Sequence, residues 1–262
     1  MKTLSRRSFL KKGALYGVTL LTSLAGGRYY MKEVEPDWVE INQYTYSHLL
    51  IPPSFNQTRI VQFNDTHIGF QYDLTDLKKT VQTINDFKPD LICFAGDLLD
   101  NPDQYSVPSE LYSLLNSLKA PLGKYAVYGN HDHGGYGTEL YEQTMDKCGF
   151  KVLKNASDIV QKNGESMLIA GVDDSSLGAP DIAQALSGKP RNLFTLLLSH
   201  APDYADEAAR YPVHLQLSGH SHGGQVQIPL VGPLITPPHA KEYNEGLYEL
   251  SDSFSLYVNR GL

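Results

Sequence analysis

Cysteine is nearly missing from this chain: two residues in 262, Cys93 and Cys148. That excludes a disulfide framework and any cysteine-built metal cluster. Each lies alone, Cys93 inside the apolar run Leu-Ile-Cys-Phe-Ala and Cys148 before Gly149, so both read as small buried thiols. No uninterrupted apolar run approaches the roughly 20 residues of a membrane span, which excludes a bundle of spans. Charge is also scarce in one place. After Lys12 none occurs until Arg28, and residues 1–25 hold no acid but five bases, Lys2, Arg6, Arg7, Lys11 and Lys12. The rest of the chain therefore sets 17 basic residues against all 29 acidic ones, a net −12. So acidic a body is a poor binder of nucleic acid or anionic surfaces.

Hydrophobic residues make up 41% of the chain, enough for one large folded domain. The basic start and the interrupted apolar stretch 13–27 read as a targeting segment, ending at 25 or at most 28. Ser23 and Ala25 suit cleavage after Ala25, and retention as an anchor stays open. Residues 30–57, with Pro36, Pro52 and Pro53, form an approach segment to a single domain over 58–262.

Within that domain, apolar periodicity predicts helices over 74–87, 109–119 (with Ser109 as cap) and 138–149, the last closed by Gly149. They alternate with the apolar runs RIVQF, DLICFAG and KYAV. Downstream, strands are expected at 151–153, 158–162, 167–171, 194–199, 213–218, 225–228, 246–250 and 254–259. Short helices fall at 181–186 and 203–210. The expected class is α/β, with strand-to-helix alternation first and mixed or antiparallel pairing afterwards.

Polar clusters follow these strand runs: Asp65-Thr66-His67, Gly96-Asp97-Leu98-Leu99-Asp100, Gly129-Asn130-His131-Asp132, Ser199-His200 and Gly219-His220-Ser221-His222-Gly223-Gly224. Strand carboxyl ends are where α/β folds bind ligands. Imidazoles, carboxylates and an amide oxygen converging there are the donors of a hydrolytic divalent-metal site. Asp65, His67, Asp97, Asn130, His200, His220 and His222 make seven donors, too many for one ion. A pair sharing Asp97, about 3.5–4 Å apart, accommodates them.

In order, D-x-H, G-D-x-x-D, G-N-H-D, a lone histidine and G-H-x-H resemble the signature of the calcineurin-like metallophosphoesterase superfamily. The resemblance implies two mixed β-sheets packed as a sandwich and flanked by helices. It implies one divalent ion on Asp65, His67, Asp97 and His222, and a second on Asp97, Asn130, His200 and His220. Its implied catalytic residues are His131, facing the phosphate, and Asp100, orienting it. A metal-bridging hydroxide would attack in line while His131 protonates the leaving oxygen or stabilises the transferring group, a role that suits imidazole. Asp132 stays open as an alternative partner of His131, and His133 as a substrate contact or a solvent-facing residue.

The motif GHSHGGQ, ending at Gln225, and the tail Tyr257-Val258-Asn259-Arg260-Gly261 are similar to the exported or membrane-associated bacterial branch. Ser5, Arg6, Arg7, Phe9, Leu10 and Lys11 resemble a twin-arginine export signal. The expected partners are thus the twin-arginine machinery and a phosphoester substrate, either a small molecule or a lipid headgroup. The expected site of action is the outer face of the cytoplasmic membrane, the cell wall or the periplasm, with peripheral membrane or wall attachment left open. Mn²⁺ is the expected metal, with iron and Zn²⁺ as competitors. A lipid-linked sugar pyrophosphate hydrolase, with Tyr29, Tyr30, Trp38 and the PPSF stretch near an apolar groove, is the alternative enzyme. A metal-containing envelope-binding protein is the non-enzymatic one.

Overall fold

The computed structural model describes residues 6–33, 39–102, 107–133, 137–224, 226–228 and 232–262. Lys2, Ser5, Trp38 and Gln225, singled out above, lie outside the described residues. The chain divides into two compact units, Met1–Tyr44 and Thr45–Leu262. The first holds one helix, α1 (Arg6–Glu33), which begins on the arginine pair and carries Phe9, Leu10, Leu20 and Leu21 exposed. Among the described residues no helix is long and apolar enough to cross a membrane.

The second unit begins inside the stretch read as an approach segment. Phe55 is buried, and Tyr46 and Ile51 pack beside it against the strands that follow. Two prolines did not prevent this, because residues 53–55 form a one-turn 3-10 helix with Pro53 at its start.

A four-stranded parallel sheet comes first, in the order β1 (Ile60–Phe63), β2 (Leu91–Phe94), β3 (Lys124–Ala126), β4 (Lys151–Val152). Helices α2 (Leu74–Asp86), α3 (Ser109–Asn116) and α4 (Gly137–Lys147) supply its crossovers. Helix α2 starts at Asp73, whose carboxylate accepts the Thr75 and Asp76 amides, and it buries Leu77, Thr80, Val81 and Ile84 at helical spacing. Helix α3 corrects one expectation: Pro108, in extended backbone, occupies the cap position, so Ser109 is the first helical residue. Gly149 ends α4 at φ +73°, while the Phe150 amide reaches back to the Met145 carbonyl.

The second sheet has six strands in the order β11 (Gly246–Ser251), β12 (Phe254–Val258), β8 (Leu215–Ser218), β7 (Thr195–Leu198), β6 (Glu165–Gly171), β5 (Ala156–Lys162). Its inner pairs are parallel and its two outer pairs antiparallel. Short helices α5 (Ile182–Ala185) and α6 (Ala205–Ala208) cover its outer face. A separate hairpin joins β9 (Val226–Ile228) to β10 (Gly232–Ile235). β10 is not among the expected strands; its Gly232 and Pro233 are residues that strand interiors seldom hold.

Period-two alternation builds the layers. In β2, Ile92 and Phe94 face the helices, while Leu91 and Cys93 face the second sheet. There they meet Ile169, Leu196, Leu198 and Leu217, so the two sheets, the first parallel and the second mixed, share one apolar core as a sandwich flanked by helices. Cys93 lies in that core and Cys148 under α4, both as free thiols.

Candidate metal centre

Strands β1, β2, β3, β7 and β8 run parallel within their sheets, and each delivers one of the five clusters at its carboxyl end. The backbone there is unusual. Asp65, His67, Asp97, His220 and His222 all take left-handed φ values, 53°, 39°, 60°, 68° and 49°. Non-glycine residues reach that region only where surrounding bonds hold them, and such strain collects at functional sites. The holding bonds are visible. The Asp65 amide donates to the Gly96 carbonyl at 2.9 Å, and the His67 amide donates to that of Asp97 at 3.2 Å. Gly129 has its own reason: a Cβ there would run into the Asp97 carboxylate.

All seven expected donors come together. Asp65, His67 and His222 form one group and Asp97, His200 and His220 another, the ligand atoms within each lying inside 4.8 Å of one another. His67 Nε2 lies 3.8 Å from Asp65 Oδ1, and His222 Nε2 lies 3.6 Å from the same oxygen. Asp97 Oδ2 stands between the groups, 3.6 Å from His67 Nε2 and 3.3 Å from His200 Nε2. Asn130 Oδ1 joins the second group, 3.2 Å from His200 Nε2.

Hydrogen bonds behind the donors fix which ring atom faces inward. His200 Nδ1 donates to the Ala95 carbonyl at 2.7 Å, and His220 Nε2 donates to that of Pro238 at 2.8 Å. A carbonyl only accepts, so in each neutral ring the opposite nitrogen keeps its lone pair. Asp65 Oδ2 accepts the His220 amide at 3.0 Å and the Asn64 side-chain amide. Asp97 Oδ1 accepts the His131 amide at 2.8 Å.

The electrostatics follow the same division. Burial works to raise Asp65, but the His67, His200 and His222 imidazoles outweigh it and hold the carboxyl well below its usual range. Asp97 is lowered despite burial, chiefly by His200. Burial works to lower His200, yet Asp97, Asp65 and Asp174 push it up to about 10. His220 is lowered by burial and by the charge of His200. Three donor atoms, Asp65 Oδ1 and both ring nitrogens of His67, are buried without a hydrogen-bond partner. Such atoms are costly unless something engages them, and a divalent cation suits a mixed oxygen and nitrogen set. The residues present therefore fit a binuclear divalent centre.

His131 and Asp100 also meet, though through a different atom than side-chain pairing would supply. His131 Nδ1 donates to the Asp100 main-chain carbonyl at 2.6 Å; the carboxylate Oδ1 is 3.9 Å away and lies nearer His67 Nδ1, at 3.6 Å. Asp132 is not a partner of His131. Its carboxylate is buried and accepts the amides of Asp97 (2.7 Å), Gly129 (2.9 Å) and Leu98 (3.0 Å). Burial and the Asp97 charge push it up to about 7, against those three amides. His133 is half-buried, and its Nε2 is turned onto Asp173 Oδ1 at 2.6 Å instead of to solvent. Asp173 and Asp174 themselves escaped the sequence reading, although they end the apolar run Met167–Val172 in the same manner as the other clusters.

The calcineurin-like phosphoesterase family profile matches residues 58–224. The chain is 47% identical to the uncharacterized metallophosphoesterase YkuE of Bacillus subtilis, over 100% of its own length and 92% of that protein's. It is 31% identical to the phosphodiesterase YaeI of Escherichia coli, over 99% and 92%. Among solved structures it is similar to the NAD nucleotidase NadN of Haemophilus influenzae, at a TM-score of 0.51 and 16% identity over 77% of this chain and 50% of that one, a likeness of fold. With its sandwich of one parallel and one mixed sheet and its paired Asp/His donor groups, the chain belongs to the calcineurin-like phosphoesterase family and is a hydrolytic enzyme of the metallophosphoesterase type.

Proposed function

We propose that this chain is a metal-dependent phosphodiester hydrolase of the bacterial cell envelope. Two divalent ions, Mn²⁺ foremost, would be held by Asp65, His67, Asp97 and His222 (the first set) and by Asp97, Asn130, His200 and His220 (the second set). The observation that carries the reading is the trio of buried, unpartnered donor atoms at Asp65 and His67, flanked by the shared Asp97. Ions bound there supply Lewis-acid polarisation of phosphoryl oxygens and a water of lowered pKa for attack. The protein's own part is proton delivery and alignment. His131 is partly exposed and its Nδ1–H is committed to the Asp100 carbonyl, which leaves Nε2 facing away; in the imidazolium form that nitrogen carries the proton it would donate to the leaving oxygen. Asp100 acts through that carbonyl and through the field of its carboxylate, and Asp132 secures the loop that carries Asp97. Likeness to a phosphodiesterase over nearly the whole chain favours diesters over monoesters.

Arg6, Arg7, Phe9, Leu10 and Lys11 support export of the folded chain by the twin-arginine route. The acidic body argues against attachment through anionic polymers. Metal-loaded protein should be screened against p-nitrophenyl monoester, p-nitrophenyl diester and nucleotide-lipid substrates, with its metal content measured. Hydrolysis led by the diester with about two ions per chain is the expected result. No hydrolysis of any of the three, or full activity with one ion, would sink it. Export has its own check: the Arg6→Lys, Arg7→Lys double variant should stay inside the cell, folded and active, and its normal export would end that part of the proposal.

A further inference from the structure

The polar residues that close β6 take no part in the hydrolysis proposed above, yet they are among the most buried in the protein. Asp173 is 3% exposed and Asp174 fully buried. Asp173 Oδ1 lies 2.6 Å from His133 Nε2 and accepts the Asp174 amide at 3.0 Å. Asp173 Oδ2 accepts the Ala179 amide at 3.0 Å and lies 3.6 Å from Lys154 Nζ. The His133 ring packs on Tyr128, centroids 4.7 Å apart, and its other nitrogen is 3.4 Å from the Thr138 hydroxyl. Both ring nitrogens are thus spoken for, and neither is aimed at a substrate. A contact of 2.6 Å between a half-buried imidazole and a buried carboxylate is at the short, strong end of hydrogen bonding.

The two partners belong to different sheets. His133 sits in the loop after β3 of the first sheet, three residues beyond Asn130. Asp173 sits in the loop after β6 of the second, beside β7, whose end carries His200. The contact between Asn130 Oδ1 and His200 Nε2, 3.2 Å, crosses the same boundary. Other donors have cross-sheet bonds of their own. Asp65 accepts the Asn64 side-chain amide and the His220 amide, and His200 Nδ1 donates to the Ala95 carbonyl, while the His133–Asp173 contact ties down the loop that carries Asn130.

We propose that His133 and Asp173 are a positioning pair for the second metal set: they pin the loop after β3 to the loop after β6, and so fix Asn130 against His200. This rests on the ligand assignment made under the proposed function. It requires an asymmetry that a general structural role would not produce. Loss of the pair should weaken the ion on Asp97, Asn130, His200 and His220 and leave the ion on Asp65, His67, Asp97 and His222 almost untouched.

The test is calorimetric titration of Mn²⁺ into metal-free full-length protein, alongside melting temperatures. Wild type should show two binding events. His133→Ala should weaken one of them about 10–100-fold, the usual effect of removing an outer partner, with the other changed by less than about twofold. Asp173→Asn should shift the same event. His133→Gln, which can still donate to Asp173, should recover most of the affinity and covers the case in which the alanine variant does not fold. Equal weakening of both events in step with melting temperature would overturn the proposal. So would unchanged affinities, or a glutamine variant no better than alanine. A single event in wild type removes the ligand assignment and this inference with it. Two events with the expected asymmetry, in a protein that hydrolyses none of the screened esters, leave this inference standing and sink only the proposed activity.

Discussion

The two sheets contribute to the centre in chemically different ways. The first, wholly parallel, brings oxygen donors: Asp65, Asp97 and Asn130, with His67 as its one imidazole. The second brings only imidazoles, His200, His220 and His222. Neither donor group is complete on one sheet, since His222 crosses to Asp65 and Asp97 crosses to His200. The centre therefore exists only when the sandwich core, Leu91 and Cys93 against Leu196, Leu198 and Leu217, has formed. Metal binding and packing of the two sheets are on this view one equilibrium. The difference also explains the electrostatics, in which acids from one sheet and a base from the other hold each other charged.

Asp97 is the residue on which that division turns, so its loss should have the largest effect. Asp97→Ala should take bound metal from two ions to almost none. It should lower kcat more than about 10³-fold, since several kcal/mol of transition-state stabilisation go with the ions. His200→Ala, confined to the second sheet, should retain one ion. Elemental analysis of both variants checks the pair; an Asp97→Ala protein that keeps one ion would show that the two groups are independent.

His131 comes next, because it belongs to the first sheet but to neither donor set proposed above, although it clusters with His67 and Asp100 at metal-binding distances. His131→Ala should keep its metal while losing roughly 10²–10⁴-fold in kcat on substrates with poor leaving groups. A p-nitrophenyl ester, whose leaving group needs little protonation, should suffer less. Loss of metal, or equal loss on both substrates, would place His131 with the metal donors instead of with the proton.

Why was so much of this legible before any coordinates? The strands carrying the site are short, wholly apolar runs such as Leu91–Phe94, and their polar ends stand out against them. What the pattern cannot carry is direction. Asp97, Asp100 and Asp132 look alike in sequence; one faces the donors, one meets His131 through its main-chain carbonyl, and one is turned inward onto three amides. The left-handed φ values that aim Asp65, His67, Asp97, His220 and His222 leave no mark on residue type, because glycine, their usual sign, is absent there. Asp173 and Asp174 were passed over for the opposite reason: two aspartates before two serines look like an ordinary turn. Their burial and the bridge to His133 come from packing between sheets, which periodicity along one strand does not encode.

The smallest expected effect concerns pH and distinguishes the empty centre from the filled one. Without metal, Asp65 and Asp97 are held below the ordinary carboxylate range, so their contribution is present above about pH 4 and is lost as pH falls. His200, pushed up to about 10, contributes fully below its unfolded pKa of about 6.5 and loses that contribution as pH rises towards 10. Asp132, pushed up to about 7, adds to the decline between about pH 4 and 7, because its neutral form is the one folding favours. His220, lowered by burial, opposes them only below about 6.5. The metal-free protein should therefore melt highest in mildly acid solution and lose roughly 5–10 °C by pH 9, at about 2–4 °C per kcal/mol for a domain of this size. Filling the centre reverses the sense. A ligating imidazole must be neutral, so protons compete with the metal and loading strengthens as pH rises. Scanning calorimetry of chelator-treated and Mn²⁺-loaded protein between pH 5 and 9 should give slopes of opposite sign. Parallel slopes would mean that the acids of the first sheet and the imidazoles of the second are not each other's counter-ions when the metal is gone.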